Sequence, residues 1–245
     1  MDSNFDYILF PVTVCDNFYD DPDSVREFAL NQEYDNKLGV HPGLRSQCVS
    51  TIAEEFHHIS YHKILSMFGD YSQTCDPTNY GCYSYFQKIW RFSDDPKDPV
   101  NDGWIHNDGL TSLAAVVYLD PDPVNDNGTS VYIKDYEISE EEIITPKNRP
   151  QWYNDVLGNE DLCGVDSLEP YRKSIVKNNN RFSLTVEVKN RYNRVIVYDG
   201  KQWHGQSNYW MPNEDDFRLA QVFFFFEMNI PKILVPKVRC KSYGI

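Results

Sequence analysis

Residues 102–109 read DGWIHNDG and, two residues later, 112–119 read SLAAVVYL. The first stretch is polar and turn-forming, and the second is a short run of β-branched and small apolar residues ending on Tyr118 and Leu119. That contrast predicts a strand at 112–119, with His106 and Asp108 at the end of one β segment and just before this one. Runs of the same kind recur downstream and upstream: CYSYFQKI at 82–89, TSVYI at 129–133, FSLTVEV at 182–188, RVIVY at 194–198 and RLAQVFFFF at 218–226. Gly, Asn, Asp and Pro separate them, which is the pattern of a β-sandwich or barrel. The last run is apolar at successive positions, as a strand buried on both faces is.

The first third of the chain mixes strand and helix. Residues 7–15 alternate loosely around Val and Ile. DNFYDDPDSVREFALNQ then predicts a helix capped by Asp21, with Pro22 in its first turn and Val25, Phe28 and Ala29 as its apolar stripe. A second helix is expected over 51–68, with Ile52, Phe56 and Ile59 at helical spacing. Glu55, His58 and His62 on that helix have a spacing able to bind zinc, although a solvated helix face explains them equally well. Residues 134–180 are acidic, Asn-rich and weakly periodic, and read as an insertion or lid that carries specificity.

Lys and Arg number 23 against 37 Asp and Glu, a net charge of −14. So acidic an average field repels a phosphate backbone or an anionic membrane, so neither nucleic acid nor membrane is expected as a partner. It is compatible with a basic or neutral amino-acid-like substrate, free or on a peptide, and leaves room for a local basic pocket. No apolar stretch approaches the roughly 18 residues of a membrane span. The N-terminus, MDSNFDYILFPVTVC, begins acidic and carries Pro11 inside its apolar run, unlike a signal peptide. The six cysteines form no C-x-x-C pair and read as reduced thiols. A soluble, cytoplasmic protein is the expectation, monomeric or homodimeric.

In an extended strand, residues two apart share a face, so His106 and Asp108 can reach one metal ion, and His204 in YDGKQWHGQ supplies a second imidazole from a distant strand. Two histidines and one carboxylate leave coordination positions open and suit non-haem Fe(II); a hydrolytic zinc site could use the same ligands. With six His and 24 Asp in the chain, His-x-Asp arises about 0.6 times by chance, so the context of the motif and not the motif itself discriminates.

That context is a resemblance. The ordered set WIHND, SLAAVVYLD, NGTSVY, NRVIVYDGKQWHG and FRLAQVFFF resembles the double-stranded β-helix core of 2-oxoglutarate/Fe(II)-dependent oxygenases, in particular the prolyl-hydroxylase-like branch and an uncharacterised family within it. DNFYDDPDSVREFAL and HPGLRSQ resemble that family's N-terminal region. The implied fold is mainly β with flanking helices (α+β), a jelly-roll or cupin-like core. The implied organisation is a single domain over 1–245: support over about 1–80, a core over about 81–230 interrupted by 134–180, and a tail over 231–245. By the resemblance, His106, Asp108 and His204 are the iron ligands. Arg218 pairs with the far carboxylate of 2-oxoglutarate, and Tyr118 donates to the same group. Asn127 stands where the family commonly has Gly. Arg218 lies fourteen positions after His204, a wider spacing than the family's usual one, with MPNEDD as the segment that loops out.

The cofactors implied are Fe(II), 2-oxoglutarate and O2. The reaction implied is hydroxylation of an unactivated C–H of a small molecule or peptidyl side chain, with release of succinate and CO2. Tyr83, Tyr85 and Gln87 share one face of their strand, and with Trp104 beside the ligands they are the candidates for lining the substrate; Tyr85, Gln87 and Trp104 are the leading three. The competing expectation is a non-catalytic β-helix protein that binds metal or ligand, or serves as a structural interaction module.

Overall fold

The computed structural model describes residues 11–35, 41–68, 81–124, 127–135, 168–213 and 215–226. The β-branched and aromatic runs form strands that pair antiparallel throughout. In chain order they are β1 (Val12–Cys15), β2 (Tyr34–Asp35), β3 (Leu44–Ser46), β4 (Gly81–Trp90), β5 (Thr111–Tyr118), β6 (Thr129–Lys134), β7 (Phe182–Val188), β8 (Val195–Tyr198), β9 (Trp203–Gln206) and β10 (Phe217–Phe226). A seven-stranded sheet has the order β1-β8-β5-β10-β4-β3-β2, and a three-stranded sheet the order β7-β6-β9. This mainly β, antiparallel architecture with few helices fits a jelly-roll.

Alternation along the strands divides the large sheet into two faces. Leu113, Ala115, Val117, Leu119, Val195, Val197, Leu219, Phe223 and Phe225 pack on the helix side with Phe18, Ala29 and Ile64. Their neighbours Ala114, Val116, Tyr118, Ile196, Tyr198, Ala220 and Val222 turn the other way and pack with Val186 and Val188 of the small sheet. The doubly apolar run at 218–226 thus supplies both layers, as its composition predicts.

Helix α1 (Pro22–Leu30) starts where the sequence places it, with Asp21 accepting from the Ser24 amide at 3.1 Å. The expected helix at 51–68 is two: α2 (Val49–Ile52) and α3 (Glu54–Leu65), broken at Ala53, whose φ of −156° is extended. Its apolar stripe also differs from expectation. Ile59 is 61% exposed, while His57, Ser60, Tyr61, Ile64 and Leu65 are buried. Polar residues can face the sheet because the sheet offers them hydrogen-bond partners, so hydrophobic periodicity alone picks the wrong side. Helix α4 (Glu169–Asn179) lies within the expected insertion; residues 136–167 of that insertion and the tail from 227 lie outside the described residues. Of the cysteines, Cys15, Cys48 and Cys82 are free thiols. Among the described residues no helix is long and apolar enough to cross a membrane.

Candidate metal centre

His106 and His204 face each other across an isolated antiparallel bridge. Each backbone amide donates to the other residue's carbonyl, at 2.9 and 2.8 Å, and the ring centroids are 4.5 Å apart. Asp108 is fixed by its amide, which donates to the Gly200 carbonyl at 2.8 Å. The 199–202 turn that contains Gly200 therefore positions the carboxylate, and β9 positions the second imidazole.

The two rings are also oriented. His106 Nδ1 lies 2.7 Å from the Trp104 carbonyl and His204 Nδ1 lies 2.8 Å from the Gln202 carbonyl. A carbonyl only accepts, so each Nδ1 carries the proton and each Nε2 is left with a free lone pair. His106 Nε2 stands 3.6 Å from Asp108 Oδ1, and His204 Nε2 stands 3.5 Å from Asp108 Oδ2. The ligand atoms of all three residues lie within 4.8 Å of one another. Asp108 Oδ2 is buried with no hydrogen-bond partner. Burial pushes the Asp108 carboxyl up, but His204, His106 and Arg45 outweigh it and hold it below its ordinary value. Burial pushes His204 down to about 4, against the pull of Asp108. A buried carboxylate beside lone pairs aimed at one point is a donor set that fits a divalent cation.

Arg218, on β10, is buried, with its guanidinium carbon 5.1 Å from the centre of the Tyr118 ring and its Nε without a hydrogen-bond partner. The Tyr118 hydroxyl donates to Thr129 Oγ1 at 2.8 Å, so Tyr118 supports the guanidinium with its ring face while its proton goes to β6. The residues 211–216 that widen the spacing from His204 to Arg218 lie between β9 and β10 and outside any strand; Glu214 among them is outside the described residues. Tyr85 is on the same face as Tyr118, under the Arg45 guanidinium at 5.6 Å. Gln87 shares that face but closes onto β3's approach, its Nε2 donating to the Pro42 carbonyl at 2.7 Å. Trp104 contributes its carbonyl to His106, and its indole is packed with Tyr171 and Ile175 of α4.

Two neighbours of the centre have no precedent in the motifs. Tyr198 packs its ring 4.6 Å from that of His204, and Arg45 reaches in from β3. Tyr198 stands in the quoted YDGKQWHGQ segment and Arg45 in HPGLRSQ, but no spacing rule links either to the ligands. Among the described residues, His106, Asp108 and His204 form the one such three-ligand group. His58 and His62 instead pack their rings against Tyr61.

A profile of a family of unknown function, DUF6445, matches residues 9–208. No curated protein matches by sequence. Among solved structures, HygX from Streptomyces hygroscopicus with nickel and 2-oxoglutarate bound is similar at 12% identity, over 89% of this chain and 83% of HygX, with a TM-score of 0.51. The same protein with nickel, 2-oxoglutarate and hygromycin B bound gives a TM-score of 0.50 at the same identity and coverage. AviO1 from Streptomyces viridochromogenes Tue57 matches at 11% identity over 91% of this chain and 92% of its own, with a TM-score of 0.49. At these identities the HygX likeness is one of fold.

Proposed function

The chain belongs to the DUF6445 family, and we propose that it is a 2-oxoglutarate-dependent non-haem Fe(II) oxygenase. Its ligands are His106, Asp108 and His204, and Arg218 anchors the cosubstrate. The observation that carries this reading is the preset pair of imidazole Nε2 atoms on the Asp108 carboxylate, that of His106 3.6 Å from Oδ1 and that of His204 3.5 Å from the buried, unpartnered Oδ2. The fold of HygX, a protein crystallised with a metal and 2-oxoglutarate, supports it. The two sheets are read as the halves of a double-stranded β-helix, and the motif order favours the prolyl-hydroxylase-like branch.

Fe(II), when bound with 2-oxoglutarate and O2, supplies the oxidation of an unactivated C–H, with succinate and CO2 released. The chain supplies the rest. The Trp104 and Gln202 carbonyls hold the imidazoles in the ligating tautomer, and Asp108 contributes the compensating negative charge. Arg218 offers a planar fork to the distal carboxylate, with the Tyr118 ring beneath it. Ala114, Val116, Ala220 and Val222 keep the floor between them apolar, which excludes water. Hydroxylation of a small molecule or peptidyl side chain is the outcome we assign.

The test is the visible spectrum of the anaerobic protein with Fe(II) and 2-oxoglutarate. A weak metal-to-cosubstrate charge-transfer band is expected, absent in Asp108→Ala and weakened in Arg218→Ala. A protein that retains no iron and gives no band is not an oxygenase, and is then a scaffold or ligand-binding relative.

A further inference from the structure

A second guanidinium with a buried, unpartnered Nε enters the same face of the large sheet. Arg45 of β3 stands opposite Gln87 of β4, Gln87 opposite Ala220 of β10, and Ala220 opposite Tyr118 of β5. Partners across an antiparallel ladder share a face, so Arg45 belongs to the side lined by Tyr118 and Ala220. Its side chain does not stay on that row. The guanidinium carbon lies 5.6 Å from the Tyr85 ring centre and 5.1 Å from that of Phe224, which is two rows nearer the metal ligands. Phe224 is paired with Ala114, and Ala114 with Tyr198, the tyrosine packed on His204. Arg218 lies in the opposite direction along β10, beyond Ala220, over Tyr118. The two guanidiniums thus serve opposite ends of one strip.

Arg45 is held in place without being satisfied. Phe86 donates its amide to Ser46 Oγ at 3.0 Å and Gln87 donates to the Pro42 carbonyl, pinning β3 to β4 on both sides of Arg45. Gly43, at a φ of +67°, permits this approach, since a Cβ there would meet the Lys88 carbonyl oxygen at 1.9 Å. Yet Arg45 Nε is buried with no hydrogen-bond partner. Arg26 Nε, on α1, is also buried without a partner, but two other arginines are fully paired. Arg194 bonds both oxygens of Asp16, and Arg172 both oxygens of Asp98. The carboxylate that acts on Arg45 is Asp108, which a metal ion would engage together with His106 and His204, leaving the guanidinium to a carboxylate from outside.

We propose that Arg45 binds a carboxylate group of the primary substrate beside the metal centre, so that the substrate class is an organic acid, while Arg218 takes the cosubstrate. This rests on the oxygenase reading. The guanidinium remains charged at neutral pH: burial pushes it down only to about 10, with Asp108 pulling the other way.

The test uses the 15N-labelled full chain with Zn(II) in place of Fe(II), following the arginine Nε–H resonances, which are assigned with Arg45→Lys and Arg218→Lys. 2-Oxoglutarate is added to saturation, then sodium acetate against sodium chloride at matched ionic strength. The expected result is that 2-oxoglutarate moves the Arg218 signal and acetate then moves the Arg45 signal saturably. Arg45→Met abolishes the acetate response and leaves the 2-oxoglutarate response at Arg218 in place. The proposal is overturned if 2-oxoglutarate moves Arg45 and makes it deaf to acetate, because Arg45 is then the cosubstrate's partner. It is equally overturned if neither anion moves Arg45, because its role is then packing. If 2-oxoglutarate moves nothing and zinc is not retained, yet acetate still moves Arg45, the oxygenase reading fails and the carboxylate site stands.

Discussion

The two faces of the seven-stranded sheet bury polar side chains in opposite ways. On the helix side a chain of hydrogen bonds runs from end to end. Tyr19 donates to Gln221 Oε1 at 2.6 Å, Gln221 to Ser84 Oγ at 3.4 Å, Ser84 to His57 Nδ1 at 2.9 Å, and His57 Nε2 to the Cys82 carbonyl at 3.1 Å. On the side facing the small sheet, Asp108 Oδ2, Arg45 Nε and Arg218 Nε are buried with no partner. An unsatisfied buried polar group costs about 1–3 kcal/mol, more when charged. The same strands supply both faces, so the difference is one of purpose. The first face is held by bonds within the fold, with Arg26 Nε of α1 as an exception, while the second gathers its unpartnered atoms around His106, His204 and Tyr118.

The largest effect that separates the faces is expected at Asp108. Asp108→Ala should lower 2-oxoglutarate-dependent succinate release by more than the roughly 10–100-fold that losing an outer-shell partner of a metal ligand costs. The metal-free variant should melt within a few degrees of the wild type, because the unpartnered buried Oδ2 that is lost offsets the lost attraction to His204, His106 and Arg45. A melting temperature several degrees lower would place Asp108 among the structural residues and erase the contrast. Next in size, Arg218→Met should raise the dissociation constant for 2-oxoglutarate about 10- to 100-fold, the range of a lost charge-assisted pair. Calorimetry on the zinc-loaded protein reads this directly, and an unchanged affinity would remove Arg218 from the site.

The helix side should respond in reverse. Gln221→Leu cuts the chain in its middle and leaves the Tyr19 hydroxyl only its longer bond to Ser60 Oγ, at 3.3 Å, so it should cost about 1 kcal/mol in urea unfolding. Its affinity for 2-oxoglutarate should stay within twofold. A variant as stable as the wild type would show that the hydrogen-bonded chain contributes nothing.

The same contrast explains what could be read from the sequence. Strands announce themselves by β-branched and aromatic runs, and the runs at 82–89, 112–119, 182–188 and 218–226 fall within a residue or so of β4, β5, β7 and β10. His106, Asp108 and His204 were legible as a group because spacing and strand order carry them, and the fold brings their ligand atoms together. Arg45 was not, because its approach depends on β3. That three-residue strand has no periodicity of its own, and its register is fixed by Gly43 and by tertiary bonds to β4. Ile59 was misassigned for the related reason that a sheet offering polar partners can bury His57 and Ser60 in preference to it. The net charge describes the surface average, whereas Arg45, Arg218 and Asp108 make the local field on the facing-sheet side. An average over the whole surface carries no information about one strip inside it.

The smallest expected effect concerns an arginine that the fold does satisfy. Arg172 of α4 grips Asp98 through Nε and a terminal nitrogen at 3.0 and 2.7 Å, holding the helix against the segment that leads to His106. The hydrogen bond from Arg172 is the main cause that brings the Asp98 carboxyl down to about 2. A carboxyl lowered in the folded state stabilises the fold above its ordinary value near 3.9 and loses that contribution as pH falls through about 2. The full shift corresponds to about 2 kcal/mol, and the partial exposure of Arg172 reduces this to about 1 kcal/mol. Arg172→Met should therefore lower stability by about 1 kcal/mol at pH 7, a gap that holds down to about pH 4 and narrows below it. Urea titrations of the two proteins between pH 7 and pH 3 measure the gap. A constant gap over that whole range would mean that Arg172 acts through its packing on α4 rather than through the Asp98 charge.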